Sequence, residues 1–128
     1  MATEGIGIDL VDVARFQAAL LRRPRLAQRL FTDAERRDAN GRPERLAARF
    51  AAKEAVLKTF GVGMGSTSWR SIEVVLSESG APHVVLHGSA EELAKMAGIT
   101  VLHLSLTHTS ELAAAFVIGT SEEELGGR

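Results

Sequence analysis

The sequence has no cysteine and no tyrosine, and only one tryptophan and three prolines among its 128 residues. Without cysteine the chain can form neither disulfides nor a Cys-based zinc site. It also lacks any apolar run near the roughly 20 residues that a transmembrane helix needs. The first ten residues, MATEGIGIDL, contain no basic segment of the kind that opens a signal peptide. We therefore expect a cytoplasmic protein without a membrane span.

The residues that are present fit one globular domain, with 45% hydrophobic and 24% charged side chains. We predict a single domain over 1–120 and a polar tail over 121–128. The net charge of −1 divides into +4 over 1–58 and −5 over 59–128. A basic first half indicates either an anionic ligand or partner, or simply a solvated arginine-rich surface. A nucleic-acid-binding domain is the alternative class, but the scarcity of aromatic residues and the lack of a recognition motif argue against it.

The apolar spacing predicts one strand, a block of helices, a hairpin, a helix and two more strands. The expected elements are a strand from Gly5 that ends near Asp9, helices at 12–21, from Pro24, from Thr32 and at 43–60, strands at 72–76 and 83–87, a helix from Ser89 to Gly98, and strands at 101–106 and 112–118. Two capping boxes, Thr32–Glu35 and Ser89–Glu92, mark helix starts. Adjacent strands joined by short turns predict an antiparallel sheet and the α+β class.

The long central helix contains charged residues on its apolar side, in the segment ARFAAKEAVLKTFG at 48–61. At about 100° per residue, Lys53 points into the apolar stripe, Glu54 lies at its margin, and Lys58 lies one turn later on the same side as Glu54. Glu54 and Lys58 could form an ordinary i,i+4 ion pair, and Lys53 could extend its amine to solvent. An ion pair at a subunit interface is our interpretation of Lys53.

Asp9 raises a different possibility, because a carboxylate at the end of a buried strand is an unusual core residue. It could cap the next helix. Alternatively, Asp9 and Glu54 could together hold Mg²⁺, which takes one or two carboxylates plus phosphates and water. Lys58 would then reach phosphate oxygens beside the metal.

A predicted turn between the last two strands, THTSE, contains His108, which could be functional or simply exposed. The other histidines, His83, His87 and His103, are interpreted as structural or surface residues. GIGIDL and GVGMGS lack the spacing of dinucleotide- and phosphate-binding loops. Gly63 in the second loop could nevertheless let backbone approach a ligand closely.

Three segments together, GIGIDLVDVARF, ARFAAKEAVLKTFG and LSLTHT, resemble the holo-acyl-carrier-protein synthase family, the short 4′-phosphopantetheinyl transferases. The resemblance covers nearly the whole chain and is weakest over 36–44 and the last eight residues. It implies Mg²⁺-dependent transfer of the phosphopantetheine arm of coenzyme A to a serine of an acyl carrier protein, with release of adenosine 3′,5′-bisphosphate. It also implies a homotrimer with an active site at each interface, and a place in fatty acid and lipid biosynthesis.

The resemblance also assigns roles to residues of this chain. The implied catalytic residues are Asp9, Glu54, Lys58 and His108, with Asp9 and Glu54 as magnesium ligands. His108 is implied to reach the coenzyme from a neighbouring subunit. The implied coenzyme contacts are Arg49, Lys58, Pro82, His108 and Thr109, with Gly63 of the glycine-rich loop beside them. The implied carrier-protein contacts are Arg15, Arg22 and Arg25.

Two points stay open at this stage. The serine proton could be accepted by Glu54, His108 or a metal-bound water, of which we favour a water oriented by a carboxylate. The family's usual Gly-Lys-Pro turn is Gly80-Ala81-Pro82 here, so one coenzyme contact is in question. A carrier-protein docking module without activity is the alternative function, but the presence of Asp9, Glu54 and Lys58 argues against it.

Overall fold

A computed structural model describes residues 1–122, which form five helices and five strands together with one short 3₁₀ helix. In chain order they are β1 (Ala2–Asp12), α1 (Val13–Arg22), α2 (Leu26–Leu30), α3 (Asp33–Ala39), α4 (Pro43–Phe60), a 3₁₀ helix (Trp69–Ser71), β2 (Ile72–Leu76), β3 (Pro82–Leu86), α5 (Ser89–Met96), β4 (Val101–His108) and β5 (Leu112–Ser121). The predicted α+β class is confirmed. Of the polar tail predicted over 121–128, everything after Glu122 lies outside the described residues.

The strands are antiparallel, as the short connections predicted, but they form two sheets and not one. One has the order β1-β5-β4 and the other is the β2-β3 hairpin. In the first sheet Asp9 is paired with Ala115, which is paired in turn with Leu106. Because β1 continues to Asp12, Asp9 lies inside the strand, and the prediction that it ends the strand is wrong.

The long helix α4 begins and ends where the sequence predicted, with Pro43 in its first turn and Gly61 as its left-handed C-cap at φ 75°. It packs on β1 at backbone contact distance. A Cβ atom added at Gly7 would lie 1.9 Å from the carbonyl oxygen of Ala55, and one at Gly5 would lie 2.2 Å from that of Thr59. Only glycine at these two positions allows the helix to lie this close to the strand.

Two apolar clusters flank α4. One joins α4 to β5, β2 and α5 around Val56, Ile72 and Val117, and the other joins it to the first helices around Phe16 and Phe31. Val11, Trp69 and Leu106 pack against both clusters, so they form one continuous core with α4 at its centre.

The remaining sequence predictions are partly correct. The Thr32–Glu35 capping box is present with both of its hydrogen bonds. The second predicted box is absent, because Gly88 occupies the N-cap of α5 and the Ser89 hydroxyl bonds Thr67 instead. The helix expected from Pro24 begins two residues later at Leu26. Within residues 1–122, no helix has the length and apolarity to cross a bilayer.

Candidate active site

Asp9 projects toward α4 because it follows Gly5 and Gly7 on the same face of β1. Alternate residues of a strand share one face, and the two glycines place that face directly on the helix. Asp9 is therefore held against the last turns of α4, where Glu54 and Lys58 lie. The sequence predicted this meeting of Asp9 and Glu54, although it placed Asp9 at the strand end.

Lys58 pairs with Asp9, and the ordinary i,i+4 pair between Glu54 and Lys58 does not form among the described residues. The Lys58 ammonium lies 3.2 Å from an Asp9 carboxylate oxygen and donates a 3.0 Å hydrogen bond to the carbonyl oxygen of Ile8. The Lys58 side chain is half-exposed, whereas the Asp9 side chain is only 12% exposed. We call Asp9, Glu54 and Lys58 the carboxylate site.

Glu54 is half-buried, and burial raises its pKa. The negative charge of Asp9 raises that pKa further, while Lys58 opposes both effects. The two carboxylates of this site, Asp9 and Glu54, have one positively charged neighbour, Lys58. The remaining negative charge suits a divalent cation. Within residues 1–122 no group of three or more His, Asp or Glu side chains could hold a metal ion, so phosphate and water would have to supply the other ligands.

The carboxylate site opens into a cleft of about 580 Å³ between β1, α1 and α4. Asp9 and Glu54 line it, and so do Arg15 and Arg22 of α1. The positive charges of α1 therefore border the same opening as the two carboxylates. Arg25, the third predicted partner contact, is exposed at the N-cap of α2 and does not line this cleft.

A second cavity, of about 450 Å³, contains several of the predicted coenzyme contacts. Its lining includes Arg45, Arg49, Gly80, Pro82 and His108, and we call it the arginine cavity. Thus Arg49, Pro82 and His108, which are far apart in sequence, lie together in the structure.

Arg49 is buried beside this cavity without an ion-pair partner among residues 1–122. It is only 4% exposed, its Nη1 donates to the carbonyl oxygen of Arg45 at 3.2 Å, and its buried Nε has no hydrogen-bond acceptor. Burial lowers its pKa, although Glu35 and Asp38 at longer range partly compensate. A buried guanidinium with an unused donor next to an open cavity is suited to binding an anion.

His108 is the last residue of β4, so the prediction of a turn residue is wrong by one position. The turn begins at Thr109, whose hydroxyl oxygen accepts hydrogen bonds from the backbone nitrogens of Glu111 and Leu112 at 3.1 and 3.0 Å. Thr109 therefore shapes the turn that holds His108 at the cavity rim. Gly63 lies in the exposed loop after α4, and among the described residues it lines neither cavity.

The carboxylate site and the arginine cavity face away from each other across α4. Glu54 and Arg49 are five residues apart. At 100° per residue they are separated by about 140° around the helix axis. One chain thus presents two groups of candidate site residues on different sides of its central helix.

Lys53 pairs inside its own chain, so the interpretation of an ion pair at a subunit interface is wrong. Its ammonium lies 2.8 Å from the Glu35 carboxylate, and both side chains are fully buried. Burial lowers the pKa of Lys53, and Glu35 opposes that shift. The sequence analysis missed Glu35 because its place in a capping box already explained it. Arg45 was also missed, although its position one turn before Arg49 on α4 could have indicated it.

Comparison with known proteins links this geometry to a family. A model of the 4′-phosphopantetheinyl transferase superfamily matches residues 5–117. The holo-[acyl-carrier-protein] synthase of Frankia alni is 50% identical over 121 residues, which are 94% of this chain and 100% of that protein.

Two solved structures show the same fold. The Helicobacter pylori holo-[acyl-carrier-protein] synthase in complex with coenzyme A has a TM-score of 0.81 and 29% identity, over 90% of this chain and 99% of that one. The Bacillus anthracis holo-(acyl-carrier-protein) synthase in complex with CoA (3′,5′-ADP) has a TM-score of 0.78 and 32% identity, over 95% and 100%. All three matches span nearly their full length.

Proposed function

The chain belongs to the 4′-phosphopantetheinyl transferase superfamily, and from that premise we propose that Asp9 and Glu54 hold a magnesium ion beside a reacting diphosphate. The enzyme is a holo-acyl-carrier-protein synthase, which transfers phosphopantetheine from coenzyme A to an apo acyl carrier protein. The observation that supports the metal is the pair of carboxylates in one cleft, with the pKa of Glu54 raised by burial and by Asp9.

The residues of the carboxylate site have separable tasks in this proposal. A bound Mg²⁺ would supply Lewis-acid stabilisation of charge on the diphosphate oxygens. Asp9 and Glu54 would fix its position, and Asp9 also orients the Lys58 ammonium through their 3.2 Å contact. Lys58 would place its third N–H donor on a phosphate oxygen, where charge grows as the carrier-protein serine attacks and adenosine 3′,5′-bisphosphate leaves.

The arginine cavity would hold the nucleotide part of coenzyme A. Arg49 has a buried donor without an acceptor, and Arg45 and His108 add further donors at the same opening. Pro82 and Gly80 line the wall, and Ala81 between them offers no charge. Arg49 and Arg45 would therefore carry most of the phosphate recognition on this side, with Thr109 holding the His108 turn.

We further propose that each active site combines the carboxylate site of one subunit with the arginine cavity of the next. The two groups of residues lie about 140° apart around α4, so they do not converge within a chain. The outer face of the β1-β5-β4 sheet is apolar and uncovered, with Ile6, Ile8 and Leu10 each 59–63% exposed. Such a patch is typical of a subunit interface. Repeated contacts between two different surfaces form a ring when the rotation between subunits closes, and the family resemblance makes that ring a homotrimer.

The carrier protein would dock on the basic side of the cleft. Arg15 and Arg22 border the opening through which its serine must reach the diphosphate, and Arg25 extends the positive surface beyond it. An acidic partner would be guided there by charge. Arg15→Glu or Arg22→Glu should raise KM for carrier protein while leaving coenzyme A binding intact. Arg70→Glu, at an exposed arginine that does not line the cleft, is the control. Equal loss of both functions would refute this division.

The metal proposal is tested by incubating the enzyme with coenzyme A, Mg²⁺ and an apo carrier protein, followed by intact-mass measurement. The carrier should gain the mass of phosphopantetheine, and EDTA should abolish the gain. Glu54→Gln and Asp9→Asn should also fail, whereas the exposed Glu92→Gln should behave as wild type. Full activity in EDTA, or in Glu54→Gln, would show that the two carboxylates do not hold a required metal.

Two further expectations concern the chain in the cell. We propose residues 1–120 as one transferase domain, because Val11, Trp69 and Leu106 join its two apolar clusters. A cytoplasmic location and a part in fatty acid biosynthesis remain predictions. Cell fractionation and the lipid content of a depleted strain would test them.

A further inference from the structure

Lys53 is the buried charged group that the proposed reaction does not use. Its ammonium donates to Glu35 at 2.8 Å, to the carbonyl oxygen of Trp69 at 3.0 Å and to that of Ile72, so all three of its hydrogens are used. It thereby ties α4 to α3 and to both ends of the 3₁₀ helix. A buried ion pair is weak evidence of stabilisation, because apolar replacements of similar volume are often as stable.

Glu35 is equally well fixed. One of its oxygens accepts from the backbone nitrogen of Thr32 at 2.9 Å, and the other accepts from that of Val74 at 2.9 Å. The Glu35 carboxylate is therefore fixed to α3 and to β2 by hydrogen bonds that do not involve Lys53. Lys53 thus meets a rigid acceptor in one orientation only.

The side chains of α4 that face its neighbours are small, so the helix depends on the Lys53 hydrogen bonds to fix its position. Its buried side chains include five alanines, at 47, 48, 51, 52 and 55, and the facing strand offers Gly5 and Gly7. Small side chains form shallow ridges, so their packing alone resists a slight rotation or shift of the helix only weakly. Three directed hydrogen bonds from one ammonium resist both movements.

We propose that Lys53 is a positioning residue for the metal ligand next to it. By fixing the rotation of α4 against Glu35 and the two carbonyl groups, it directs Glu54 toward Asp9. It also holds Trp69 against Phe50, a wall of the carboxylate cleft, with ring centroids 5.1 Å apart. The inference rests on the proposed metal site, but it concerns an ion pair that has no contact with the metal.

Three variants and one reference separate positioning from plain stability. Lys53→Met removes the three hydrogen bonds and leaves the buried Glu35 carboxylate unpaired. Lys53→Met/Glu35→Gln also removes that carboxylate charge. We therefore expect the double variant to fold even if the single variant does not. Val117→Ala opens a cavity in the core, leaves every hydrogen bond of the ion pair in place, and serves as the destabilised control. Glu54→Gln is the reference for loss of a metal ligand. Urea unfolding gives the stability of each.

Metal affinity is the readout that a purely structural role would not change. Mn²⁺ binding in the presence of coenzyme A is measured by calorimetry at a temperature where every variant is folded, and KM for Mg²⁺ is measured separately from kcat. Both Lys53 variants should bind Mn²⁺ about tenfold more weakly, in the range seen when groups behind metal ligands are removed. Val117→Ala should keep wild-type affinity.

Two results would overturn the inference. One is wild-type Mn²⁺ affinity in the folded double variant, and the other is an equal loss of affinity in Val117→Ala. The metal proposal fails separately, if Glu54→Gln binds Mn²⁺ as tightly as wild type.

Discussion

The carboxylate site and the arginine cavity are both built on α4, but they differ in how their charges are satisfied. In the carboxylate site, opposite charges meet within the chain, since Lys58 contacts Asp9 at 3.2 Å. In the arginine cavity, Arg49 is more deeply buried and yet has a donor without an acceptor. The charged groups of the carboxylate site are therefore held in place before a ligand binds. In the arginine cavity, the Arg49 Nε donor is left for a ligand to use.

This difference indicates a division of labour between chemistry and binding. Preorganised charges beside a reacting group lower the barrier for the chemical step. An unsatisfied buried donor gains most when a ligand supplies the missing acceptor, so it contributes mainly to affinity. The four predictions that follow test this contrast, beginning with the largest expected effect.

Gly7→Val should remove the carboxylate site by separating its two elements. A Cβ at this position would lie 1.9 Å from the Ala55 carbonyl oxygen, so α4 and β1 cannot keep their contact. We expect a loss of more than about 4 kcal/mol in the free energy of unfolding, measured in urea, or no folded protein at all. Gly63→Ala, where a Cβ meets nothing within 4 Å, is the matched control for stability. A free energy of unfolding for Gly7→Val within about 1 kcal/mol of the wild-type value would contradict this account of the packing.

Glu54→Gln and Arg49→Met should affect different kinetic constants. Glu54→Gln should lower kcat by about 100-fold or more, because it removes stabilisation of the transition state. Arg49→Met should raise KM for coenzyme A by about tenfold with a smaller change in kcat, since charge-assisted hydrogen bonds contribute about 1.5–3 kcal/mol. Steady-state kinetics with saturating carrier protein measures both. The division fails if the two variants show the same pattern.

Mixing these two variants should restore activity if neighbouring subunits share each site. In randomly mixed trimers of Glu54→Gln and Arg49→Met chains, about one site in four combines an intact carboxylate site with an intact arginine cavity. Co-refolded mixtures assayed below the KM of Arg49→Met should therefore exceed the sum of the separate variants. A mixture no more active than that sum would place the complete site within one chain.

The smallest expected effect is on the pKa of Glu54, which Asp9→Asn should lower in addition to abolishing transfer. Without the Asp9 charge, burial alone raises this pKa, so it should fall toward the ordinary glutamate value in metal-free protein, as measured by NMR titration. In wild type, the raised pKa favours the folded state below the unfolded pKa, and this contribution is lost as pH rises through the folded pKa. The loss of stability with rising pH should be smaller in Asp9→Asn, because its Glu54 pKa is raised less. An unchanged Glu54 pKa would mean that Asp9 does not act on it.

Local signals predicted the fold well where one residue's own chemistry decides the outcome. Helix α4 begins at Pro43 and is capped by Gly61 as expected, and the Thr32–Glu35 box caps α3. The same S/T-x-x-E pattern failed at Ser89, because Gly88 takes the capping position and a partner from the distant loop takes the Ser89 hydroxyl. A tertiary contact of that kind has no signature in a short sequence window.

The candidate site was predictable only in part, for the same reason. The meeting of Asp9 with Glu54 was expected from their chemistry, but the device that brings them together, the close approach at Gly5 and Gly7, was not. The partner of Lys53 lies 18 residues away on another helix. Its identity depends on how α3 and α4 pack, which the apolar spacing of each helix does not determine.

Trp69 gives this protein an optical property that follows from its position. It is the sole tryptophan and the chain has no tyrosine, so near-ultraviolet emission comes from this one indole. Its ring lies on Phe50, a wall of the carboxylate cleft, and its carbonyl group accepts from Lys53. Any event that tilts that ring, whether a ligand entering or a helix turning, should therefore change the fluorescence of a single chromophore whose surroundings are known.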